Sequence, residues 1–430
     1  MCSVSNFANC VGDEGGIHVA RMKNKHDSKD KSKTSFFLPP RRPNLNETEA
    51  DKTCRGAMTR EMWDRTPKAL QFKKRLQQEQ IPDVKFGELT KNCREFRDNH
   101  GYFRGLVNKQ EKEFPLAFSI LVYRSVAQME QLLRTIYRPH NIYCIHVDAK
   151  SDLDIHNAVQ SITNCFGNVF VVPRPSKVSW CSAQVLVAER MCMKELLERE
   201  HGWKYLINLS ELDFPLKTNF EIVQILKVFE GMNDIASFRD NNFAFRQEYA
   251  FKQTKEHVET SDIRKRSPPR NLTIYKGEPN YSLSRNFVQF VQSSEISHQL
   301  FDWLSDTSCP DEHFYQTLNR LSEAPGGFNH NAMAISRAKI WHNSAFCLGK
   351  MVNDVCIFGA GDLPWLIKQP HLFASKFDIE YDPLPSYCIE RYLKTKSLYP
   401  RVFNLHVYRR FASKRLIDST SFKWTTDGAF

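Results

Sequence analysis

The stretch Ala117-Phe-Ser-Ile-Leu-Val-Tyr123 decides the fold of this chain. It is a continuous apolar run of strand length, which is typical of a strand buried on both faces. Apolar residues then recur three or four positions apart between Val126 and Ile136, and this spacing predicts a helix with one apolar stripe. A buried strand followed by such a helix is the repeating unit of a parallel sheet covered by helices.

The same alternation continues further along the chain. More apolar strands are predicted at residues 142–147, 168–172, 204–209 and 234–238. The helices predicted between them are a stretch that ends at Phe166, one over 185–196 and one over 220–229. This alternation indicates an α/β fold with a mainly parallel central sheet flanked by helices.

Several polar or aromatic residues are candidates for a ligand-binding edge, because such sheets bind ligands beyond the carboxyl ends of their strands. Asp148 directly follows the predicted strand 142–147, and the turn at 210–213 follows the strand 204–209. Trp180 precedes a predicted helix. We therefore expect Asp148, this turn and Trp180 at the binding edge of the sheet.

The pattern changes at the two ends of the chain. Residues 1–50 are polar and predict a flexible leader, and residues 51–110 carry patchy helical periodicity that predicts a helical, stem-like region. The α/β domain is assigned to residues 111–400, and residues 401–430 are assigned to a basic tail.

The second half of the α/β domain is less regular than the first. Residues 240–285 are predicted to be rich in loops, and residues 287–305 are predicted to form one helix. A further helix is predicted to begin near Pro310, since proline is favoured in the first turn of a helix.

The composition excludes several broad classes of protein. The chain has 430 residues, 41% of them hydrophobic, which excludes a disordered chain, a collagen-like repeat and a coiled-coil rod. Its 60 lysines and arginines against 49 acidic residues give a net charge of +11. This charge favours an anionic partner, and three alternatives are open: nucleic acid, a membrane surface or a phosphate-bearing small substrate. No zinc-finger spacing or RNA-recognition signature supports nucleic acid.

No membrane anchor or signal peptide is predicted from the sequence. A membrane-spanning helix needs about 20 largely apolar residues, and the best run here, residues 114–123, is about half that length. Residues 1–20 lack the basic start and apolar middle of a signal peptide.

The 12 cysteines and the glycosylation motifs bear on the compartment. No Cys-x-x-Cys pair is present, which argues against a structural zinc site or a thioredoxin-type motif. Buried free thiols in a cytosolic protein and disulfides in an oxidising compartment both stay open. Glycosylation motifs at Asn46, Asn208, Asn271 and Asn280 favour the secretory pathway, although Asn208 lies in an apolar run and is expected to point inward.

Three short patterns each allow a structural and a functional interpretation. The Pro-Asp-Glu sequence at 310–312 is typical of a helix start, but a carboxylate there can also serve as a general base. Asp152-Leu-Asp154 can cap a helix or hold a divalent metal between diphosphate oxygens. Lys376 lies between apolar residues and either extends its amino group to solvent or binds phosphate.

Several enzyme classes lose their support because their motifs are missing. Gly359-Ala-Gly361 lacks the third glycine of a dinucleotide fingerprint and predicts a tight turn. The sequence contains no phosphate-binding loop of the ATPase type, no nucleophile elbow and no His-Glu-x-x-His site. These absences argue against an ATPase, a serine hydrolase and a zinc protease.

Taken together, the motifs resemble the core 2/I-branching β-1,6-N-acetylglucosaminyltransferase family, which is related to the peptide O-xylosyltransferases. The resemblance runs from about residue 54 to about residue 393. The matching motifs, in chain order, are Phe114-Pro-Leu-Ala-Phe-Ser-Ile-Leu-Val, Tyr143-Cys-Ile-His-Val-Asp148, Trp203-Lys-Tyr-Leu-Ile-Asn-Leu-Ser, Asp213-Phe-Pro-Leu-Lys-Thr218, Pro310-Asp-Glu312, Phe358-Gly-Ala-Gly-Asp-Leu363 and His371-Leu-Phe-Ala-Ser-Lys-Phe-Asp378.

The resemblance implies a GT-A-like nucleotide-sugar-binding fold, with residues 111–400 as the catalytic domain. It implies inverting transfer of N-acetylglucosamine from UDP-GlcNAc, in β-1,6 linkage, to a Gal/GalNAc O-glycan acceptor on glycoproteins. It further implies that no metal or other cofactor is needed. Members of the family are Golgi type II membrane proteins, which implies a Golgi location for this chain although no anchor is seen in it.

The resemblance also assigns roles to residues on the donor side. Glu312 of the Pro-Asp-Glu motif matches the catalytic base. Leu121, Asp148 and Trp180 match the uridine pocket, where the family commonly has tyrosine at the last position. Lys376 matches a cation that binds the diphosphate.

On the acceptor side, Lys255 and Trp341 match acceptor-binding residues. The family's second diphosphate cation, an arginine, falls near Asn353 in this sequence. This departure implies that another basic residue must substitute for the arginine.

The family's disulfides imply four pairs in this chain, and their formation supports the oxidising lumen of the Golgi. Cys2, Cys10, Cys181 and Cys309 are then left over. The implied pairs are Cys54 with Cys388, Cys93 with Cys165, Cys144 with Cys192, and Cys347 with Cys356.

Two other functions stay open at this point. One is a xylosyltransferase-like enzyme that uses UDP-xylose and a serine acceptor. The other is a catalytically silent family member that binds a sugar nucleotide, an alternative raised by Asn353 and by the lack of an anchor.

Overall fold

A mainly parallel sheet flanked by helices forms the centre of the computed structural model, which confirms the predicted fold class. The structure describes residues 48–59, 65–103, 107–199, 201–239, 241–253, 258–342, 344–398 and 403–416. Its strands are β1 (Leu116–Val122), β2 (Ile142–Val147), β3 (Val169–Val171), β4 (Tyr205–Ser210), β5 (Asp213–Pro215), β6 (Asp234–Ile235), β7 (Tyr249–Gln253), β8 (Val258–Arg264), β9 (Tyr281–Ser284), β10 (Arg337–Ala338), β11 (Lys350–Val352), β12 (Val355–Ile357) and β13 (Phe373–Ser375). Its helices are α1 (Glu49–Thr59), α2 (Pro67–Gln78), α3 (Phe86–Leu89), α4 (Cys93–Asn99), α5 (Lys109–Lys112), α6 (Val126–Ile136), α7 (Leu153–Thr163), α8 (Gln184–Glu198), α9 (Asn219–Val228), α10 (Phe245–Glu248), α11 (Arg285–Ser293), α12 (Glu295–Leu304), α13 (Phe314–Leu318), α14 (Leu363–Leu366), α15 (Leu384–Leu398) and α16 (His406–Leu416).

The central sheet has the strand order β3-β2-β1-β4-β9-β6. Strand β1 lies parallel to both β2 and β4, and β2 lies parallel to β3. Strand β9 is antiparallel to its neighbours β4 and β6. Leu121 is the register partner of both His146 and Ser210, so the carboxyl ends of these three strands lie side by side.

The first half of the chain folds as its apolar pattern predicts. Every residue of β2 is buried, because helices cover both faces of the parallel strands. Helix α6 has the predicted bounds and begins where the Ser125 hydroxyl accepts from the Gln128 N–H at 3.2 Å. Helix α9 begins with a capping box between Thr218 and Glu221, which satisfies two backbone donors of its first turn.

Three predictions for the second half are wrong. The helix predicted over 287–305 is two helices, α11 and α12, because Ser294 has an extended backbone and its hydroxyl caps α12. The loop-rich segment 240–285 contains the hairpin β7–β8 and the central strand β9. The helix predicted near Pro310 is a 3₁₀ turn, Pro310–Glu312, followed by α13.

Both terminal assignments fall partly outside the described residues. Residues 1–47 of the leader lie outside them, and the described part of 51–110 is helical, as predicted. The region 401–430, assigned to a tail, contains helix α16. Tyr408 and Phe411 of this helix are buried, and the Tyr408 hydroxyl donates to the Pro370 carbonyl at 2.8 Å. This part of the tail therefore packs on the domain.

The disulfides confirm three of the four implied pairs, which are Cys54–Cys388, Cys93–Cys165 and Cys347–Cys356. The fourth is wrong in this structure: Cys144 and Cys192 are both buried free thiols. Burial and a hydrogen bond with the Cys192 thiol raise the pKa of Cys144. Two cysteines left over by the resemblance, Cys181 and Cys309, form a disulfide instead.

Helices able to span a membrane are absent from the part of the chain that the structure describes. No helix there combines the length and the apolar character that crossing a bilayer requires.

Removal of the Cys54–Cys388 disulfide is expected to destabilise the fold more than removal of Cys347–Cys356. The first bond closes a chain separation of 334 residues and the second a separation of 9, and a longer closed loop restricts the unfolded chain more. C54S/C388S should lower the free energy of unfolding by about 2–5 kcal/mol in denaturant titrations. A larger loss in C347S/C356S than in C54S/C388S would contradict this expectation.

Candidate active site

Backbone hydrogen bonds hold together the turns that follow β1, β2 and β4. The Asp148 N–H donates to the Val122 carbonyl at 2.8 Å, and the Glu211 N–H donates to the Leu121 carbonyl at 3.0 Å. The Glu211 carboxylate in turn accepts from the N–H groups of Tyr123 and Arg124, at 2.7 and 2.9 Å. The carboxyl edge of the sheet is therefore a connected surface, on which Leu121 is half-buried.

Asp148 organises the loop that carries Trp180. Its buried carboxylate accepts from the Lys150 N–H at 2.8 Å and from the Val178 N–H at 3.3 Å. The Lys150 amino group lies 3.8 Å from the same carboxylate. Trp180, two residues after Val178, leaves 80% of its surface exposed. The Asp148 carboxylate thus holds the backbone of the loop that carries the exposed indole ring of Trp180.

Glu312 lies at the end of the 3₁₀ turn and is held by two cations. Arg246 Nη1 is 2.8 Å and Lys276 Nζ is 3.3 Å from the same carboxylate oxygen, Oε2. The Glu312 carbonyl accepts from the Gly277 N–H at 2.9 Å, which ties the turn to the segment that carries Lys276. No hydrogen bond from another described residue reaches Oε1, so this oxygen can accept a proton.

Two further carboxyl groups in this region, those of Asp311 and Glu189, have raised pKa values. Burial, together with the nearby Glu312 charge, raises the pKa of Asp311 to about 7. Burial also raises the pKa of Glu189 to about 8, and the charge of Asp311 adds to this rise. Glu189 Oε1 accepts from the Asn208 amide at 2.9 Å, so Asn208 points inward as the sequence predicts. These acids favour their neutral forms in the folded protein.

Lys376 follows β13 and faces other cations. Its backbone lies against β12, since its N–H donates to the Cys356 carbonyl at 3.3 Å. Burial lowers the pKa of Lys376, and the charges of Lys339 and Arg124 lower it further, whereas Asp213 opposes them. Asp213 is itself paired with the buried Arg337 at 3.2 Å. This concentration of positive charge is suited to an anionic ligand.

Lys339 interacts with both the Lys376 region and the turn that carries Glu312. Its charge acts on both Lys376 and Asp311, and its amino group lies 2.6 Å from Glu278 Oε2. The same amino group lies 5.5 Å from the ring centre of Trp341, which is 38% exposed.

Hydrogen bonds, a disulfide and electrostatic interactions link several of the segments that carry the predicted site residues. Leu121, Asp148, Trp180, Glu312, Lys376 and Trp341 all lie on the segments described above. Lys255 lies outside the described residues. Asn353 lies in the exposed turn between β11 and β12.

Sequence reasoning missed the cations that surround the predicted residues. Arg246 and Lys276 come from the segment predicted to be rich in loops, and Lys339 follows the short strand β10. No spacing or motif distinguishes them from the other basic residues of the chain. The missing arginine near Asn353 was the one signal, since it required another cation in the site.

The parallel sheet and its helices define an α/β protein, a class in which ligands bind beyond the carboxyl ends of the strands. Comparison with known proteins specifies the family. The family model described as "Core-2/I-Branching enzyme" matches residues 116–367. The chain therefore belongs to the core-2/I-branching enzyme family.

Relatives of this family match most of the chain. Human beta-1,3-galactosyl-O-glycosyl-glycoprotein beta-1,6-N-acetylglucosaminyltransferase 3 is 35% identical over 348 residues, which cover 77% of this chain and 79% of the relative. Mouse beta-1,3-galactosyl-O-glycosyl-glycoprotein beta-1,6-N-acetylglucosaminyltransferase 4 is 33% identical over 384 residues, which cover 84% of this chain and 83% of the relative. A solved structure, 4-diphosphocytidyl-2C-methyl-D-erythritolsynthase from Anaerococcus prevotii, covers 46% of this chain and 86% of its own at 10% identity, and its TM-score of 0.24 is too low to add to the fold assignment.

The buried acids Asp311 and Glu189 are expected to make the protein less stable as the pH rises. Carboxyl groups of the unfolded chain titrate near pH 4, whereas these two keep their protons in the folded state up to pH values of about 7 and about 8. The folded state then binds more protons than the unfolded state across this window, so the free energy of unfolding falls as the pH increases.

Glu189→Gln tests this expectation, because glutamine keeps an acceptor oxygen for Asn208 and cannot ionise. Relative to the wild type, its thermal unfolding temperature should be higher at pH 8, and the gap should shrink toward pH 5. Glu295→Gln, at an exposed position, is the control and should leave the pH dependence unchanged. An equal gap at both pH values for Glu189→Gln would show that this carboxyl is ionised in the folded protein.

Proposed function

We propose that this chain is an inverting β-1,6-N-acetylglucosaminyltransferase that moves GlcNAc from UDP-GlcNAc to a Gal/GalNAc O-glycan of a glycoprotein. The observation that carries the proposal is the geometry of Glu312, whose Oε2 is held by Arg246 and Lys276 while Oε1 accepts no hydrogen bond from the residues that the structure describes. The names of the family relatives, which state transfer of N-acetylglucosamine to glycoproteins, support the choice of substrates.

Glu312 acts as the general base of a direct displacement. Its Oε1 takes the proton of the acceptor hydroxyl while the hydroxyl oxygen attacks the anomeric carbon of GlcNAc. The bond from that carbon to the diphosphate breaks, the bonding electrons leave with UDP, and the configuration at the carbon is inverted. Arg246 and Lys276 fix the carboxylate, so the base needs little rearrangement as the sugar develops oxocarbenium character.

Side-chain cations stabilise the departing diphosphate. Lys376 is the principal group, and Lys339 and Arg124 provide the further positive charge that the asparagine at position 353 does not supply. Asp213, the acid that acts on Lys376, is already paired with Arg337. These cations take the place of a divalent metal, which supports metal-independent transfer.

The uridine pocket is assigned to the ends of β1 and β2 and to the loop before α8. Leu121 offers a half-buried apolar contact, Asp148 a carboxylate of fixed orientation, and Trp180 an open indole face for the uracil ring. Stacking of a base on an aromatic side chain is worth about 1–3 kcal/mol. Trp341, beside Lys339, and Lys255 are assigned to the acceptor.

The Golgi lumen is the proposed location, with the membrane anchoring usual for the family. The substrate named for the relatives is a glycoprotein, and the disulfides of this chain form in an oxidising compartment.

Glu312→Gln is expected to lower kcat about 10²–10⁴-fold, since glutamine cannot accept the hydroxyl proton. The measurement is release of UDP and formation of the branched product from UDP-GlcNAc and a core 1 O-glycan acceptor. Glu295→Gln, which changes an exposed glutamate in the same way, should leave kcat unchanged.

The same assay separates the proposal from its alternatives. Near-normal turnover by Glu312→Gln would falsify the assignment of the base. Preferential turnover of UDP-xylose with a serine acceptor would replace the proposed function with xylosyl transfer. UDP binding without transfer to any O-glycan would identify a catalytically silent member.

Lys376→Ala is expected to weaken UDP binding about tenfold or more, because a charge-assisted contact to the diphosphate is lost. Isothermal calorimetry with UDP measures the effect, and Lys350→Ala, at an exposed lysine of β11, is the matched control. The wild-type enzyme should retain its activity in EDTA. Equal UDP affinity in the wild type and Lys376→Ala would show that Lys376 does not contact the diphosphate, and activity lost in EDTA and restored by a divalent cation would show that a metal is required.

A further inference from the structure

The disulfide between Cys181 and Cys309 lies between two residues assigned to different parts of the site. Cys181 directly follows Trp180, and Cys309 directly precedes the Pro310–Glu312 turn. The family resemblance leaves both cysteines unpaired, so it assigns this bond no role. Its position raises the question of what it does for the two segments that it joins.

The link is reinforced by the backbone. The Cys309 N–H donates to the Cys181 carbonyl at 2.8 Å, beside the bond between the two side chains. Both residues are buried, since Cys181 leaves 7% and Cys309 leaves 3% of its surface exposed, and both have a positive φ. Non-glycine residues seldom take this conformation unless the surrounding structure imposes it. The two segments are therefore joined at a defined point.

The segment that carries Trp180 depends on this link because it has no regular secondary structure. Residues 172–183 connect β3 with α8, and the upstream half of this loop is held by the Ser176 N–H on His146 and the Val178 N–H on Asp148. The indole of Trp180 is mostly exposed, so side-chain packing does little to position it. Its position follows from the backbone anchors at Val178 and Cys181.

The segment that carries Glu312 depends on the same link. The turn is one 3₁₀ turn long, and the Glu312 N–H donates to the Cys309 carbonyl at 3.0 Å. A displacement of Cys309 therefore moves the backbone of Glu312. The carboxylate would then meet Arg246 and Lys276 in a different geometry.

We propose that the Cys181–Cys309 disulfide is a positioning element that sets the placement of the uridine-side residue Trp180 relative to the base Glu312. The inference rests on the proposed function, since it needs a donor on Trp180 and a hydroxyl on Glu312 in one complex. Loss of the bond lets the loop and the turn move independently, which weakens UDP binding and lowers turnover. A misplacement of about 1 Å in a catalytic site can reduce the rate by about 100-fold.

The test is the double variant C181S/C309S, expressed by the secretory route and assayed well below its unfolding temperature. We expect kcat/KM to fall at least about tenfold, with a lower kcat and a higher KM for UDP-GlcNAc. The dissociation constant of UDP, measured by calorimetry, should rise with the KM.

C93S/C165S is the matched control, since it removes a disulfide that joins α4 to the end of α7. It should lose thermal stability and keep the kcat and KM of the wild type. A merely structural role for Cys181–Cys309 predicts the same result for both double variants, and that result overturns the proposal. Recovery of Cys181 and Cys309 as free thiols, in a non-reducing peptide map of the secreted wild type, also overturns it.

The calorimetry separates this proposal from the proposed function. If the wild type binds UDP but transfers no sugar, the function fails, while weaker UDP binding by C181S/C309S alone still supports the positioning of Trp180. If transfer is normal in the wild type and in both double variants, the function stands and the positioning role fails. A wild type that binds no UDP contradicts both.

Discussion

The parallel register of β1 between β2 and β4 is the constraint on which the site depends. It aligns the ends of three strands, so that Asp148 and Glu211 each donate a backbone N–H to the neighbouring strand β1. Glu211 then uses its carboxylate to fix the turn after β1. A slip of one residue would turn Leu121 to the opposite face and remove these contacts together.

Opposite charges in the candidate site are matched locally. Glu312 is held by Arg246 and Lys276, Glu278 by Lys339, and Asp213 by Arg337. Each of these contacts fixes a charged side chain in the folded protein. The net charge of +11 is therefore less informative than the arrangement of these few groups.

The sequence predicts the elements that are buried on both faces and misses those that depend on distant partners. Strands β1, β2 and β4 are long apolar runs, because helices cover them completely. In strand β9 two buried serines alternate with apolar residues, and these serines are satisfied by partners far along the chain. Ser282 bonds to Ser336 at 3.1 Å, and Ser284 bonds to Asn233 at 3.1 Å. A local pattern cannot contain that information.

The same division applies to the site. Glu312 and Asp148 follow recognisable motifs, whereas Arg246 and Lys276 are ordinary basic residues until folding places them beside Glu312. The Cys181–Cys309 bond was missed because the disulfides known for the family do not include either position. Cys144 and Cys192 do match a disulfide of the family, yet both are free thiols in this structure.

The inward orientation of Asn208 has a consequence for its glycosylation motif. The amide nitrogen, the atom to which an N-linked glycan is attached, donates to Glu189 at 2.9 Å and to the Pro279 carbonyl at 2.8 Å. A glycan on that nitrogen has no room between β4 and the segment before β9. A chain glycosylated at this position before β4 is paired would be unable to complete its central sheet. Pairing of β4 with its neighbouring strands and attachment of a glycan at Asn208 are therefore incompatible in the same molecule.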